Sequence, residues 1–328
     1  MPASLIDMPD IVMNRILKEL DFRAIMTLRK VNHAIRDFID NNKPDGKFIY
    51  LDIALQTTKA ILRYSDLPAG NNSYICTENK NGFRAEFLGK TIQMSGIFHE
   101  NMLESLKFIL EFQKSCLESF GVQGKSNCLG TIYNEFLDGI SKILEPINLK
   151  TKHFFIQSTD PLPILKNLDP QFLKSIHILD PFGMTEETSS IDLGEILQLE
   201  VWKKLETVRI QNCAVENGVI RDFLKFNVVL VMFHTITEFQ LKEIFEAFLN
   251  PSSTLREFRL EYLFLDDDVE CFGEPFTQEY HESVRWYFEI PESTEILLIL
   301  SKSEAHEYFL FERIDRRSVP EGALIRRS

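Results

Sequence analysis

Residues 205–213 read LETVRIQNC, and their apolar positions follow an apolar-x-x-apolar-x-apolar pattern. The same pattern recurs in three other segments of the chain: Leu173/Ile176/Ile178, Phe226/Val229/Val231 and Leu255/Phe258/Leu260. The starts of the four segments are separated by 32, 21 and 29 residues, and helical or turn-like sequence fills the intervals. Alternating apolar residues predict strands, so the segments predict a strand and its connection repeated four times.

The second segment places Cys213 where leucine-rich repeats carry Asn or Cys. We therefore interpret residues 150–265, approximately, as the core of an irregular leucine-rich-repeat-like α/β solenoid, in which each unit contributes one strand to a parallel sheet. The alternative is an ordinary α/β core whose buried strands share this spacing.

A different pattern follows the four segments. Val284, Trp286, Phe288 and Ile290 alternate with polar or aromatic residues, and 291–294 read as a turn before two further strands, 296–300 and 306–314. These strands predict a C-terminal β-meander at about 284–314 that caps the repeat array and covers its edge. The polar residues 316–328 are expected to form a mobile tail.

Between residues 49 and 143 the periodicity predicts strands first and helices later. Strands are indicated at 49–55, 60–64, 74–76 and 83–87. From Asn101 the apolar residues recur at steps of three and four, which predicts a helix that ends at Gly121. A second helix is indicated at 132–143, before Pro146.

The N-terminal residues 8–39 show three short stretches of helical periodicity. Asp21 and Asn32 stand where one apolar stripe ends and the next begins, so each is predicted to cap a helix N-terminus. The run 41–46, NNKPDG, ends this unit. Three such helices enclose too little interior to stand alone, so their apolar faces must pack on the rest of the chain or on a partner.

The order of residues in this N-terminal unit, assigned to 1–42, resembles the F-box. The landmarks are the Met8-Pro9 pair, an apolar helix, Asp21, the Ile25-Met26 pair and Arg36. The resemblance implies docking on a Skp1-like protein, and through it on a cullin, in an SCF ubiquitin ligase. The residues it assigns to Skp1 binding are Met8, Pro9, Ile11, Val12, Ile16, Leu17, Leu20, Ile25, Leu28, Val31 and Ile35. Ile35 stands where many F-boxes have Trp, which removes a large aromatic side chain from the expected interface.

The rest of the chain, 48–315, resembles the FTH domain of a family of F-box proteins that is greatly expanded in nematodes. The resemblance is carried by LKSIHIL after Asp169-Pro170, by LETVRIQNC and by the late strand that contains Trp286. It implies an interaction module that captures a protein target. As target-binding residues we predict polar strand positions and one acidic loop: His177, Arg209, Arg259, Asp266, Asp267 and Asp268.

The chain has 328 residues and a net charge of −13, which disfavours direct binding to nucleic acid or to anionic lipid. Residues 257–295 hold twelve acids and two bases; they form either a solvated face or a surface for a basic partner. The five scattered cysteines favour a reducing compartment, and the N-terminus does not read as a signal peptide. The apolar stretch 227–237 is too short to span a membrane, so we expect a cytoplasmic or nuclear protein.

The sequence shows no pattern for catalysis, for a metal or for a cofactor. The GVQGKS run at 121–126 ends like a phosphate-binding loop, but Ser119 replaces the first glycine and a helix is predicted where a strand should precede. The seven histidines form no local metal motif.

We therefore expect a non-catalytic SCF adaptor. The alternative is an FTH-type scaffold that recruits a regulator, such as an RNA-binding protein, without promoting its degradation. A third hypothesis is an enzyme with a site dispersed along the chain.

Overall fold

The structure is a computed structural model that describes residues 8–67, 70–87, 89–124, 130–181, 189–216, 218–266, 269–277, 283–303 and 307–327. Asp267 and Asp268, predicted to bind a target, lie outside the described residues. The fold is mixed α/β, with helices first and then a body made mostly of sheet. Contacts divide it into two units: one runs to Phe155 and includes Asn167–Phe172, and the other holds Ile156–Lys166 and the residues from Leu173 onward.

Three helices open the first unit: α1 (Asp10–Glu19), α2 (Phe22–Leu28) and α3 (His33–Asn42). Both predicted caps are confirmed. The carboxylate of Asp21 accepts a hydrogen bond from the backbone N–H of Ala24 at 2.6 Å, and the side-chain oxygen of Asn32 accepts one from the N–H of Ala34 at 2.7 Å. These acceptors satisfy N–H groups that have no partner within the helix, which is why each helix begins at these residues.

The sheet of the first unit is built around one central strand. The strands are β1 (Tyr50–Gln56), β2 (Lys59–Leu67), β3 (Gly70–Asn79), β4 (Gly82–Phe87), β5 (Lys90–Met94) and β6 (Leu117–Gly124). β1 to β5 pair in antiparallel succession, whereas β6 pairs in parallel with β1, so that Ile53 lies between Leu62 and Val122. The helices α4 (Phe98–Glu111) and α5 (Thr131–Leu144) pack on each other, and α4 also packs on β2 and β3.

The helix predicted from Asn101 to Gly121 is wrong in its second half. α4 ends at Glu111, and Leu117–Gly124 form β6 instead. The turn between them is held by Gln113, whose side-chain amide accepts a hydrogen bond from the N–H of Phe48 at 3.0 Å and donates one to the carbonyl of Ser115 at 2.8 Å. These contacts, together with the pairing of β6 with β1, prevail over the helical spacing, which continued into the strand by chance.

The second unit contains the four predicted segments. β7 (Thr151–Gln157) enters it from the first unit, and its elements are α6 (Leu162–Leu165), β8 (Ser175–Leu179), β9 (Ser189–Asp192), α7 (Glu200–Lys204), β10 (Thr207–Glu216), β11 (Val228–Ile236), α8 (Glu238–Leu249) and β12 (Glu257–Leu265). Short 3₁₀ turns occupy Ile196–Gln198 and Ile220–Asp222.

β8, β10, β11 and β12 are neighbouring parallel strands, as the shared pattern predicts. Equivalent positions of the pattern are in register: Ile176 lies beside Val208, Val208 beside Val229, and Val229 beside Phe258. All four side chains are buried. α8 begins with a capping box between Thr237 and Gln240 and buries Leu241, Ile244 and Phe248, and the ring of Phe248 stacks on that of Phe311, the register partner of Phe258. Because side chains alternate along a strand, the residues between the buried ones face away from the helices.

The predicted meander extends the same sheet. Its strands are β13 (Phe276–Thr277), β14 (Val284–Glu289), β15 (Glu295–Ser303) and β16 (Glu307–Asp315). β14, β15 and β16 pair in antiparallel order, and β16 pairs with β12, where Phe258 lies beside Phe311. The edge of β12 is therefore occupied, which removes a row of unpaired backbone groups from the surface.

The tail expected to be mobile instead returns to the sheet. After a 3₁₀ turn at Arg316–Ser318, β17 (Ile325–Arg326) pairs in parallel with β14. The guanidinium of Arg326 donates hydrogen bonds to the backbone carbonyls of Phe272 and Glu274. A polar composition predicts mobility only when nothing binds the polar groups, and here an arginine is held by two carbonyls.

Candidate functional site

The eleven residues predicted to contact Skp1 divide into two groups in the structure. Leu17, Ile25 and Ile35 are buried inside the first unit, at 0%, 0% and 5% exposure. In this arrangement they form the core of the three helices and present no surface to a partner. Ile35, the position where many F-boxes carry Trp, is therefore a packing residue in this chain.

The second group is exposed or half-buried. Ile11 is 79% exposed, Val31 68% and Val12 39%. Pro9 is also exposed, and the rest of the group, Met8, Ile16, Leu20 and Leu28, is half-buried. Val12 and Ile16 are four residues apart in α1 and so lie on one side of that helix. Apolar side chains that stay in water on a short helix are the surface a partner can cover, because their burial is favourable and nothing in the described chain covers them.

An aromatic cluster anchors the helices to the sheet of the first unit. The ring of Phe22, the first residue of α2, lies 4.8 Å from that of Phe48, 5.6 Å from that of Phe112 and 5.9 Å from that of Tyr64, all edge-on. The N–H of Phe22 also donates to the carboxylate of Asp66 at 3.2 Å. The apolar faces of the helices thus pack on the rest of the chain and still leave part of their surface free for a partner.

Ion pairs hold the third helix in place. Arg29 donates from Nε and Nη2 to the two carboxylate oxygens of Asp40, at 2.6 and 2.9 Å, and this pairing lowers the pKa of Asp40 and raises that of Arg29. Lys43, in a left-handed conformation after α3, pairs with Glu111 at the end of α4. Both pairs are partly exposed, so they fix orientation more than they add stability.

The solvent-facing side of the second unit's sheet carries three of the predicted target-binding residues in one row. His177 on β8 lies in register with Arg209 on β10, Arg209 with Leu230 on β11, and Leu230 with Arg259 on β12. Three strand spacings of roughly 4.8 Å place His177 about 14 Å from Arg259. The structure thus brings together residues that are 82 positions apart in the chain.

The charge of this row comes from its arginines. Burial lowers the pKa of His177, and Arg209 adds to that effect, so the imidazole is neutral at pH 7. Its Nε2 lies within hydrogen-bond distance of the side-chain oxygen of Gln211. Arg209 is exposed. The guanidinium of Arg259 lies 3.9 Å from the centroid of the Tyr308 ring and 3.0 Å from the carboxylate of Glu261, and it is thereby held flat on the sheet.

Asp266, the described residue of the predicted acidic site, is not part of the row. Asp266 is exposed and directly follows β12, where its N–H donates to the carbonyl of Ile236 at 3.0 Å. Seven residues of extended chain, at about 3.3 Å each, separate it from Arg259 by roughly 23 Å.

The row also contains residues that the sequence did not indicate. On the far side of Arg259 it continues through Leu310, Leu300 and Arg285, which lie in register on β16, β15 and β14. Leu230 occupies the same place in its segment as His177, Arg209 and Arg259 in theirs, so the pattern itself could have identified it. No sequence signal locates the other three, because their alignment depends on the pairing of β12 with β16. The row crosses seven strands and about 29 Å.

The two glycines of the GVQGKS run have packing roles. A Cβ on Gly121 would lie 2.5 Å from the carboxylate of Asp52, and one on Gly124 would lie 2.6 Å from the ring of Tyr133. The expectation that a helix precedes this run is wrong, because β6 begins at Leu117 and continues through Gly124 of the run itself. The first glycine of a phosphate-binding loop is still missing, since Ser119 occupies its place. Lys125 and Ser126 lie outside the described residues.

No helix among the described residues is both long and apolar enough to cross a membrane. In the same part of the chain, no three His, Cys, Asp or Glu side chains are placed to hold a metal ion together. Cys76, Cys116, Cys213 and Cys271 are free thiols.

Comparisons with known proteins agree with the division between the helices and the body. Residues 5–45 match the family model of the F-box domain, and residues 132–275 match that of the FTH domain. The chain is 24% identical over 319 residues to F-box A protein 224 of Caenorhabditis elegans; the match covers 92% of this chain and 78% of the relative. No solved structure matches.

Proposed function

We propose that this chain, an F-box protein with an FTH domain, is a non-catalytic substrate-recognition adaptor of an SCF ubiquitin ligase. In this role the F-box docks on a Skp1-like protein, which links it to a cullin, and the FTH domain captures a protein target. The observation that carries the proposal is the exposure of Ile11 and Val12 on α1 and of Val31 in the turn before α3, whereas Leu17, Ile25 and Ile35 of the same F-box are buried.

The anchoring of the F-box supports this role. An adaptor must hold its target at a defined position relative to the ligase, and an F-box on a flexible tether does not do so. Here Phe22 packs into the aromatic cluster of the first unit's sheet, and Lys43 pairs with Glu111. The docking surface is therefore packed against the sheet of the first unit, which limits the conformational entropy that the F-box loses on binding.

For target capture we infer that the row from His177 to Arg285 is the contact surface. It combines arginines with leucines on the solvent-facing side of the sheet, and arginine with apolar contacts is typical of protein interfaces. We also infer that β8, β10, β11 and β12 form a leucine-rich-repeat-like array, since equivalent pattern positions of the four strands lie in register. The free thiols are consistent with an adaptor of the cytoplasm or nucleus.

The test is capture of purified Skp1 by the full-length chain and by point variants. Replacing Ile11 and Val12 with Asp should abolish capture, because docking would then bury two carboxylates. Ile132→Asp is the matched control: Ile132 is a 52% exposed isoleucine on α5, outside the F-box, and its variant should bind as the wild type does. Point variants are preferable to deletion of residues 1–42, since deletion would expose Phe48, Tyr64 and Phe112.

Loss of Skp1 capture in both variants, or in neither, would reject the proposed docking surface. A target whose abundance does not change when the proteasome is inhibited, although its activity depends on this protein, would favour the scaffold function instead.

A further inference from the structure

A groove in the first unit lies between α2, α4 and the sheet strands β2 to β5. Its volume is about 660 Å³, which is in the range of ligand clefts. The floor is apolar and is formed by Met26 of α2, Phe108 of α4 and the rings of Tyr64 and Phe87. Phe87 is 37% exposed although it contacts Tyr64 and Tyr74, so the groove is an apolar surface open to water.

The rim of the groove is positively charged. Four basic side chains line it, Arg23, Arg29, Lys30 and Lys90, against the single carboxylate of Glu104. Arg29 is neutralised by Asp40, whereas the other three cations have no carboxylate partner within the described part of the chain. In a protein of net charge −13, three such cations around one apolar groove form a local positive field.

We propose that this groove binds an acidic segment of a target protein, with a bulky apolar side chain on the floor and carboxylates facing Arg23, Lys30 and Lys90. The apolar floor supplies affinity through burial, and the rim selects for negative charge. The assignment of the segment to a target rests on the proposed adaptor function. The groove itself does not, because none of its lining residues belongs to the eleven predicted to contact Skp1.

The groove has a geometric consequence for the adaptor. Met26, Arg23 and Lys30 belong to α2 or directly follow it, so the F-box contributes one wall, and the sheet and α4 contribute the others. A segment bound here would be held beside the F-box itself.

The experiment measures binding of a fluorescein-labelled peptide, in which Phe or Leu alternates with Glu, to the full-length chain by fluorescence anisotropy. Two further peptides carry Lys in place of Glu, or Ser in place of the apolar residues, and neither should bind. Lys30→Glu and Lys90→Glu should each weaken binding about tenfold, because each reverses a contact at the rim. Lys80→Glu is the matched control, since Lys80 is exposed in the β3–β4 turn away from the groove, and it should bind as the wild type does.

Equal binding by the Lys30→Glu, Lys90→Glu and wild-type chains would overturn the proposal, as would equal loss in the Lys80→Glu control. A peptide that binds only when phosphoserine replaces Glu would overturn it in favour of a phosphorylated partner. Skp1 capture measured on the same variants separates the two proposals. Retained capture with lost peptide binding supports the groove, and lost capture in the Lys30→Glu and Lys90→Glu variants would make the groove part of the Skp1 surface and overturn its assignment to a target.

Discussion

Leu17 and Ile11 lie six residues apart in α1, and the structure predicts opposite consequences for their replacement. Leu17 is fully buried, so Leu17→Ala should lower the free energy of unfolding by about 2–5 kcal/mol, the usual range for a buried leucine. Ile11 is 79% exposed, so Ile11→Asp should change the free energy of unfolding by less than about 0.5 kcal/mol.

For Skp1 binding the order is reversed. Burial of an isoleucine side chain contributes roughly 1.5–3 kcal/mol to binding. Its loss in Ile11→Asp should therefore raise the dissociation constant for Skp1 about 10- to 150-fold. The buried carboxylate adds a further penalty. Leu17→Ala should weaken binding only as far as it unfolds the helices, and this residual effect should disappear under conditions that keep the variant folded.

Urea unfolding of both variants gives the stability change, and isothermal titration calorimetry with purified Skp1 gives the affinity. The reasoning is refuted if Ile11→Asp destabilises the chain as much as Leu17→Ala does, since Ile11 would then be a core residue. It is also refuted if Ile11→Asp is stable and binds Skp1 with the affinity of the wild type.

Three further perturbations test the packing of the chain. Phe22→Ala should cost about 3–5 kcal/mol in urea unfolding, because it removes the ring at the centre of the aromatic cluster; a change below 1 kcal/mol would mean that the F-box helices are not anchored there. Burial, and secondly the facing carboxylate of Glu257, raises the pKa of Glu312, so the folded state holds this proton more tightly than the unfolded state. Stability should therefore fall as pH rises from the unfolded pKa through the folded one; Glu312→Gln should be more stable than the wild type at pH 7 and lose that advantage in acid, and an advantage independent of pH would contradict the assignment. Arg326→Ala leaves two carbonyls without their donor and should cost about 1–3 kcal/mol, with faster amide exchange in β14 and β17; unchanged exchange would show that the tail does not depend on this contact.

Several elements could be predicted because the information for them is local. Asp21 and Asn32 cap helices through hydrogen bonds to N–H groups two or three residues away, so the residue type at a pattern boundary was sufficient. The four strand segments were visible because burial of alternate residues forces alternation in the sequence. The same reasoning failed for Leu117 and Phe120, where the spacing fits a helix and a strand equally well, and the pairing of β6 with β1 decided between them.

The candidate sites depended more on tertiary structure. The F-box resemblance placed Leu17, Ile25 and Ile11 among the Skp1-binding residues, but it did not show which of them are buried and which face water. The groove at Met26 and Phe108 was invisible, because its walls come from segments about 80 residues apart and its charge comes from lysines and arginines that look unremarkable one by one. Leu310, Leu300 and Arg285 joined the row only through the antiparallel pairing of β16 with β12.

The sequence by itself determined the class of elements, their approximate order, the F-box and FTH resemblance and the alternation that separates buried from solvent-facing strand positions. These follow from periodicity and local hydrogen bonding, which act within a few residues. Only the tertiary structure decided which strands are neighbours, that residues 325–326 return to the sheet, and which apolar residues of the F-box remain available to a partner. Periodicity indicates which residues are buried, but it does not indicate which residues they pack against. Those contacts are determined by long-range packing, in which different segments compete for the same apolar surface.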